Sequence, residues 1–157
     1  MIVREMEAKD LPECAEVFQQ TFSSPPWNEA WSLSDSTRRL DYFFNSQAAS
    51  GYIAISNANQ QISDTDRIIG FILGQAEPFQ NSDLFHIREF CVLPEYQNQG
   101  AGHILLKTLE GSLKPASISA IYLLTDKKLP AAGFYQNNGY GQNNNLTLYS
   151  KSQISGK

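Results

Sequence analysis

Residues 85–113 read FHIREFCVLPEYQNQGAGHILLKTLEGSL, and the fold turns on how this stretch divides. An apolar, β-branched run ends at Pro94 and predicts a strand. Next comes Gln97-Asn98-Gln99-Gly100-Ala101-Gly102, and from there Gly102, Leu105, Leu106, Leu109 and Leu113 recur at helical spacing. The segment is therefore a strand, a glycine-bearing turn and the N-terminus of a helix. Backbone N–H groups at such a terminus have no intrahelical partner, and with the helix dipole they form a place for a phosphate. The alternative is a glycine turn used only for packing. The turn is not a Walker loop, because no Gly-Lys-Ser/Thr follows, and it lacks the acidic residue of a dinucleotide fingerprint.

Working outward, residues 67–76 (RIIGFILGQA) are almost continuously apolar, as expected of a central strand covered on both faces, and Gly70 predicts a bulge or close backbone approach. Residues 51–56 form a short strand, and the polar residues 57–66 are a hairpin loop between the two. Further upstream, residues 1–6 alternate as a first strand. Asp10 with Pro12 reads as a helix start, with Asp10 as its cap, and Leu11, Ala15, Phe18 and Phe22 form one core face. After SSPPWNEAW at residues 23–31, a second helix runs to about Asn45, with Leu40, Phe43 and Phe44 inward. Downstream, residues 117–125 predict a buried strand. A helix over residues 130–138 ends at Gly139, and residues 140–151 read as a closing hairpin across Asn143–Asn145. The order is β-α-α-β-β-β-α-β-α-β-β, without internal repeat or linker. One α/β domain over residues 1–157 follows, a mixed sheet of about seven strands flanked by four helices.

Composition bounds the function. A net charge of -4 and a pI near 5.1, with no basic stripe, argue against a nucleic-acid partner. Cys14 and Cys91 lie far apart in apolar patterns without metal-ligand spacing, which reads as two buried free thiols, with a disulfide between them as the alternative; no metal is expected. No apolar run approaches the roughly 18 residues of a membrane span, and no basic-then-apolar leader opens the chain. A cytoplasmic protein without membrane contact is the expectation. Self-association as a homodimer is left open.

Two runs carry a resemblance. Cys91-Val92-Leu93-Pro94-Glu95-Tyr96-Gln97-Asn98-Gln99-Gly100-Ala101-Gly102 is similar to the acetyl-CoA motif of the GCN5-related N-acetyltransferases (GNAT). Pro130 to Tyr140, PAAGFYQNNGY, resembles that family's second signature, a Phe-Tyr helix ending at Gly-aromatic. The resemblance implies a mostly antiparallel sheet with a V-shaped splay after its fourth strand, acetyl-CoA as co-substrate, and no metal. It further implies that the backbone of Cys91, Val92 and Leu93 pairs with the pantetheine arm. The amides of Gln97, Asn98, Gln99, Gly100, Ala101 and Gly102 would hold the pyrophosphate, with Lys128 and Phe134 as further cofactor contacts. This chain departs from the family pattern in having Asn98 and Gln99 where arginine or lysine is frequent, and Lys128 where asparagine is common, so backbone donors carry more of the binding.

Acetyl transfer needs an acceptor for the amine's proton and stabilisation of the departing thiolate. Tyr135 matches the family's general acid. With ordinary pKa values near 10 for tyrosine and about 8.5 for a thiol, full proton transfer is uphill by about 2 kcal/mol, so a hydrogen bond to the growing charge is the more economical role. The alternative is a core tyrosine beside Phe134. For the base, Glu89 interrupts an apolar strand, and alternation puts it on the face of Phe85, Ile87, Cys91 and Leu93, with His86, Arg88 and Phe90 opposite. It is either a base with a raised pKa or half of a salt bridge to Arg4 or Arg67. His86, at the strand's start, reads as a surface residue or a second candidate base. Trp27, Glu29 and Trp31 either frame a pocket that holds a cationic acceptor by ring faces and a carboxylate, or simply seal the core. The expected activity is N-acetylation of a small cationic amine of polyamine, aminoglycoside or amino-acid type, by direct attack in a ternary complex. Acetylation of a protein N-terminus or lysine, and a non-catalytic acyl-CoA-binding module, are the alternatives.

Overall fold

Strand β3 (Arg67–Phe79) holds the middle of the sheet. Its residues from Ile68 to Gly74 are all buried, as an uninterrupted apolar run requires. In the computed structural model, which describes residues 1–56 and 66–152, the chain divides into two compact units, Met1–Leu124 and Thr125–Lys157. The first unit contains a five-stranded sheet in the order β1-β2-β3-β4-β5, formed by β1 (Ile2–Glu5), β2 (Ala49–Ser56), β3, β4 (Ser82–Val92) and β5 (Ile118–Tyr122). The first four strands pair antiparallel, and β5 joins β4 in parallel. Residues 57–65, read from sequence as most of the β2–β3 hairpin loop, lie outside the described residues.

Helices α1 (Leu11–Phe22) and α2 (Leu33–Phe44) cover one face. Cys14, Phe18 and Leu40 pack there with Ile53, Phe71, Leu73 and Cys91, and Phe22, Phe43 and Phe44 join at the margin. Fully burying one such aromatic or branched side chain stabilises by about 1.5–3 kcal/mol. Helix α3 (Ala101–Leu113) packs on β2 and β3 with Leu105, Leu106 and Leu109 wholly buried, and covers the opposite face. Ser32 caps α2, its hydroxyl accepting from the Asp35 amide at 3.0 Å.

Asp10 does not cap α1 as the sequence suggests. Its own backbone is already helical at φ -83, ψ -18, continuing a short 3-10 turn over Ala8–Asp10. Its carboxylate turns back instead, accepting two bonds of 2.7 Å from Arg4 and one of 2.8 Å from the Glu7 amide. Burial alone would raise its pKa, but the Arg4 pair and the amide together hold it below the ordinary carboxylate value.

Gly70 behaves as its place in an apolar strand predicts. A Cβ there would stand 2.8 Å from the Cys91 carbonyl oxygen and 2.9 Å from Val92 Cγ2, so β3 and β4 approach closely only because the side chain is absent.

Two expectations are corrected at the end of the sheet. β5 is not a buried strand: it is the last strand in the order, it pairs with only four residues of β4, and its side chains are half-buried or exposed. The closing hairpin of residues 140–151 does not form. Those residues contain no strand, and Leu146, Leu148 and Tyr149 stand 75%, 77% and 91% exposed, because alternation without a neighbouring ladder has nothing to bury against. Asn143 spends its side chain on the Asn145 amide, a local turn. Five strands, not about seven, therefore make up the sheet of the described residues.

Candidate active site

The register of β4 decides where its charged residues point. Leu73 pairs with Glu89 but Gly74 pairs with Ile87, so Arg88 is an extra residue, a β-bulge. Simple alternation would put Glu89 beside Phe85 and Ile87. The bulge moves it instead to the Leu73 and Cys91 side, toward α1 and α2, while Phe85 and Ile87 pair with Ala76 and Gly74 on the other. Arg88, expected opposite Glu89, turns the same way, with its guanidinium carbon 5.3 Å from the centre of the Phe43 ring in α2.

Glu89 is 6% exposed and receives a hydrogen bond from Arg39 Nε of α2. Arg39 is its partner; Arg4 is engaged by Asp10, and Arg67 lies near Glu95. Burial pushes the Glu89 carboxyl up to about 7, against the opposing pull of Arg39, while the carboxylate of Glu29 pushes the same way as burial. A group poised there accepts and releases protons at neutral pH.

Arg39 links Glu89 to the loop between α1 and α2. Its guanidinium carbon lies 5.6 Å from the Trp31 ring centre and 5.1 Å from that of Phe43. Trp31 stands edge-on to Phe18 at 4.9 Å, and its indole N–H donates to Glu29. Trp27 packs edge-on against Phe22 at 5.4 Å. The two tryptophans thus pin the loop to α1, and the cation beside Trp31 is the protein's own. Arg39 escaped the sequence reading, although a signal existed: it precedes Leu40 by one residue and Phe43 by four, which sets a charge on the rim of an apolar helix face.

His86 is not a surface residue. It is 7% exposed, stacks on Tyr122 with ring centres 4.2 Å apart, and its Nδ1 is buried without a partner among the described residues. Burial and the nearby Arg88 lower its pKa, so it is neutral at pH 7.

Pairing of β4 with β5 stops at His86 opposite Tyr122, whereas pairing with β3 continues to Val92. β5 ends there, and from Ile87 to Val92 the outer edge of β4 has no strand beside it among the described residues. An unpaired edge at this place is what a splay after the fourth strand would leave, and such an edge can offer backbone groups to an extended ligand.

Beyond the strand end, a 3-10 turn over Pro94–Tyr96 leads into the glycine loop. Asn98 at φ 59 and Gly100 at φ 89 are both left-handed, which bends the backbone into a concave turn at the start of α3. Gly100 is the N-cap, and no side chain caps the first turn of that helix. The two glutamines shape the loop from within: Gln97 Nε2 donates to the Val92 carbonyl at 2.9 Å, and Gln99 Nε2 donates to that of Glu95 at 2.8 Å. The Gln97 amide is also engaged, donating to the Pro94 carbonyl at 3.3 Å, so the N–H groups that the loop can offer an anion lie from Asn98 onward, as at other helix N-termini. The residues fit the pyrophosphate of a coenzyme.

In the second unit, Lys128 is exposed, its amide bonded to the Asp126 side chain at 2.8 Å. Phe134 and Tyr135 sit on α4 (Pro130–Asn137), with ring centres 5.3 Å apart. The helix closes in a Schellman motif: Gly139 at φ 91 donates to Gln136, and Tyr140 donates to Tyr135, each at 3.0 Å. The closure brings the Tyr140 ring 5.7 Å from that of Tyr135.

A model of the acetyltransferase (GNAT) family matches residues 12–140. The chain belongs to the GNAT acetyltransferases. Solved structures share the fold at low identity. A protein described as a probable acetyltransferase superposes with a TM-score of 0.77 at 15% identity, with 100% of each chain covered. A GNAT acetyltransferase of Staphylococcus aureus gives 0.68 at 20%, covering 96% of this chain and 97% of its own. The aminoglycoside 6′-N-acetyltransferase of Acinetobacter haemolyticus gives 0.72 at 14%, covering 97% and 99%. No curated protein sequence matches significantly. As a GNAT acetyltransferase the chain is an acyltransferase, and its family uses acetyl-CoA as co-substrate. No helix of the described residues is long and apolar enough to cross a membrane.

Proposed function

We propose that the chain transfers the acetyl group of acetyl-CoA to the primary amine of a small molecule, by direct attack with Glu89 as general base. The observation that carries this reading is the bulge at Arg88. It places a buried carboxyl, poised near pH 7, beside the stretch of β4 whose edge is open and which leads into the glycine loop.

Acetyl-CoA supplies an acetyl thioester, whose C–S bond breaks as the C–N bond forms. The free backbone groups from Cys91 to Leu93 and the amides from Asn98 to Gly102 are assigned to its binding, with Lys128 and Phe134 as further contacts drawn from the motif; the amides of Leu93 and Gln97 donate instead to Ile69 and Pro94. Glu89 takes the proton that the amine gives up, and Tyr135, by its place in the Phe-Tyr helix, donates a hydrogen bond to the departing sulfur. Trp27, Glu29 and Trp31 are assigned to the acceptor side. Direct transfer is favoured over an acyl-cysteine because both thiols are buried and held protonated: burial raises the pKa of each far above neutrality, and only a thiolate is a competent nucleophile.

Thiol release from acetyl-CoA, followed over a panel of amino acids, polyamines, aminoglycosides and short peptides, tests the proposal. Acceptor-dependent release is expected, with kcat lower by roughly ten- to a hundredfold in Tyr135→Phe and the KM for acetyl-CoA little changed. CoA binding without release for any acceptor would point to a binding module. Release for peptides alone would point to a protein substrate, and full turnover in Tyr135→Phe would remove that residue from the chemistry.

A further inference from the structure

Around Glu89 the first unit gathers more positive charge than the base requires. Arg39 and Arg88 hold their guanidinium carbons within 5.3 Å of one ring, that of Phe43. Among the described residues, only Arg39 Nε of their donors has a protein hydrogen-bond partner, the carboxylate of Glu89. Arg88 makes no ion pair, and its Nε is buried without a partner among the described residues. The Arg39 side chain is 42% exposed, so its remaining N–H groups can be reached from outside. A buried, unpaired guanidinium N–H is costly, and two like charges over one ring add to that cost. Both are relieved if a second anion enters beside Glu89.

The chemistry of transfer points the same way. An attacking amine must be neutral, so its own charge cannot anchor it at the moment of reaction. Whatever holds the acceptor in place has to be another group, and the protein presents two planar forks that suit a carboxylate. We propose that the acceptor is an amine that also carries a carboxylate, of amino-acid type, with Arg39 and Arg88 binding the carboxylate while Glu89 faces the amine. This rests on the reading of Glu89 as base and narrows it to a substrate class. A polyamine lacks the second anion and meets two guanidiniums of its own sign.

The test uses equilibrium binding, which stands apart from turnover. The full chain is titrated calorimetrically, with CoA present, against L-amino acids from each side-chain class and against the amine left when each loses its carboxylate. Dipeptides form a third arm. At least one amino acid is expected to bind at least about tenfold more tightly than its decarboxylated partner. Arg88→Gln should abolish that preference, whereas Arg38→Gln, whose side chain is 86% exposed, should retain it. Equal or better binding of the decarboxylated amines would overturn the proposal, as would binding of dipeptides alone or the absence of any amino-acid binding. The wild-type comparison decides the matter even if a variant fails to fold. Absence of acetyl transfer alongside a clear carboxylate preference would count against the enzyme reading, not against this site.

Discussion

Replacing Arg39 by glutamine should move the acidic limb of the pH–rate profile upward. Glu89 is pushed up to about 7 by burial, and Arg39, donating to it directly, is the largest opposing influence. At contact distance two unit charges interact by about 4 kcal/mol at an effective dielectric constant near 20. Arg39 is 42% exposed, so water screens the pair and roughly 1–2 kcal/mol is the reasonable share, about one pKa unit. The sign follows from the carboxylate: losing a neighbouring cation disfavours the ionised form, so the pKa rises. With the limb moved from about 7 to about 8, the ionised fraction at pH 7 drops from about one half to about one tenth, a fivefold loss of active base. The assay is kcat/KM for thiol release between pH 5.5 and 9.5 (an approximate range chosen to bracket both limbs). Position of the limb is the readout, because Arg39→Gln also weakens acceptor binding under the carboxylate proposal and lowers the whole curve. A limb that stays in place or moves to lower pH would refute the assignment of Glu89 as base.

Two further substitutions test the backbone of the account. Gly100→Ala should cost about 1–2 kcal/mol by denaturant titration and raise the KM for acetyl-CoA. A side chain there would meet nothing within 4 Å, so the effect comes from the φ of 89 alone, and an unchanged KM would detach the loop from cofactor binding. Gly74→Ala should destabilise by about 3 kcal/mol or prevent folding, since its Cβ would stand 2.3 Å from the His86 carbonyl oxygen and 2.5 Å from Phe85 Cε1. Wild-type stability in this variant would contradict the register at the bulge.

Much of the fold was legible because it depends on local rules. The apolar run of β3, the glycine turn before α3 and the left-handed stop at Gly139 each follow from side-chain burial or from φ at a single residue. The motif residues from Cys91 to Gly102 could likewise be placed in order on strand, turn and helix. What escaped reading depends on pairing between distant segments. A period-2 pattern has no mark for one inserted residue, so the bulge at Arg88, and with it the direction of Glu89, emerged only from the β3–β4 register. The same holds for Arg39, fifty positions before Glu89 in sequence. Residues 140–151 show the opposite failure: they alternate like strands, yet alternation describes a ladder only when another strand is present to pair with it.

The most direct test of the account is to follow an isotopically labelled acetyl group from acetyl-CoA under single-turnover conditions, resolving acceptor and protein by mass spectrometry. The account predicts label on the nitrogen of an amino-acid-type acceptor, none on Cys14 or Cys91, and transfer that slows as the pH falls below about 7 with the protonation of Glu89. Label retained on a cysteine, or CoA binding with no label transferred to any amine, would contradict it.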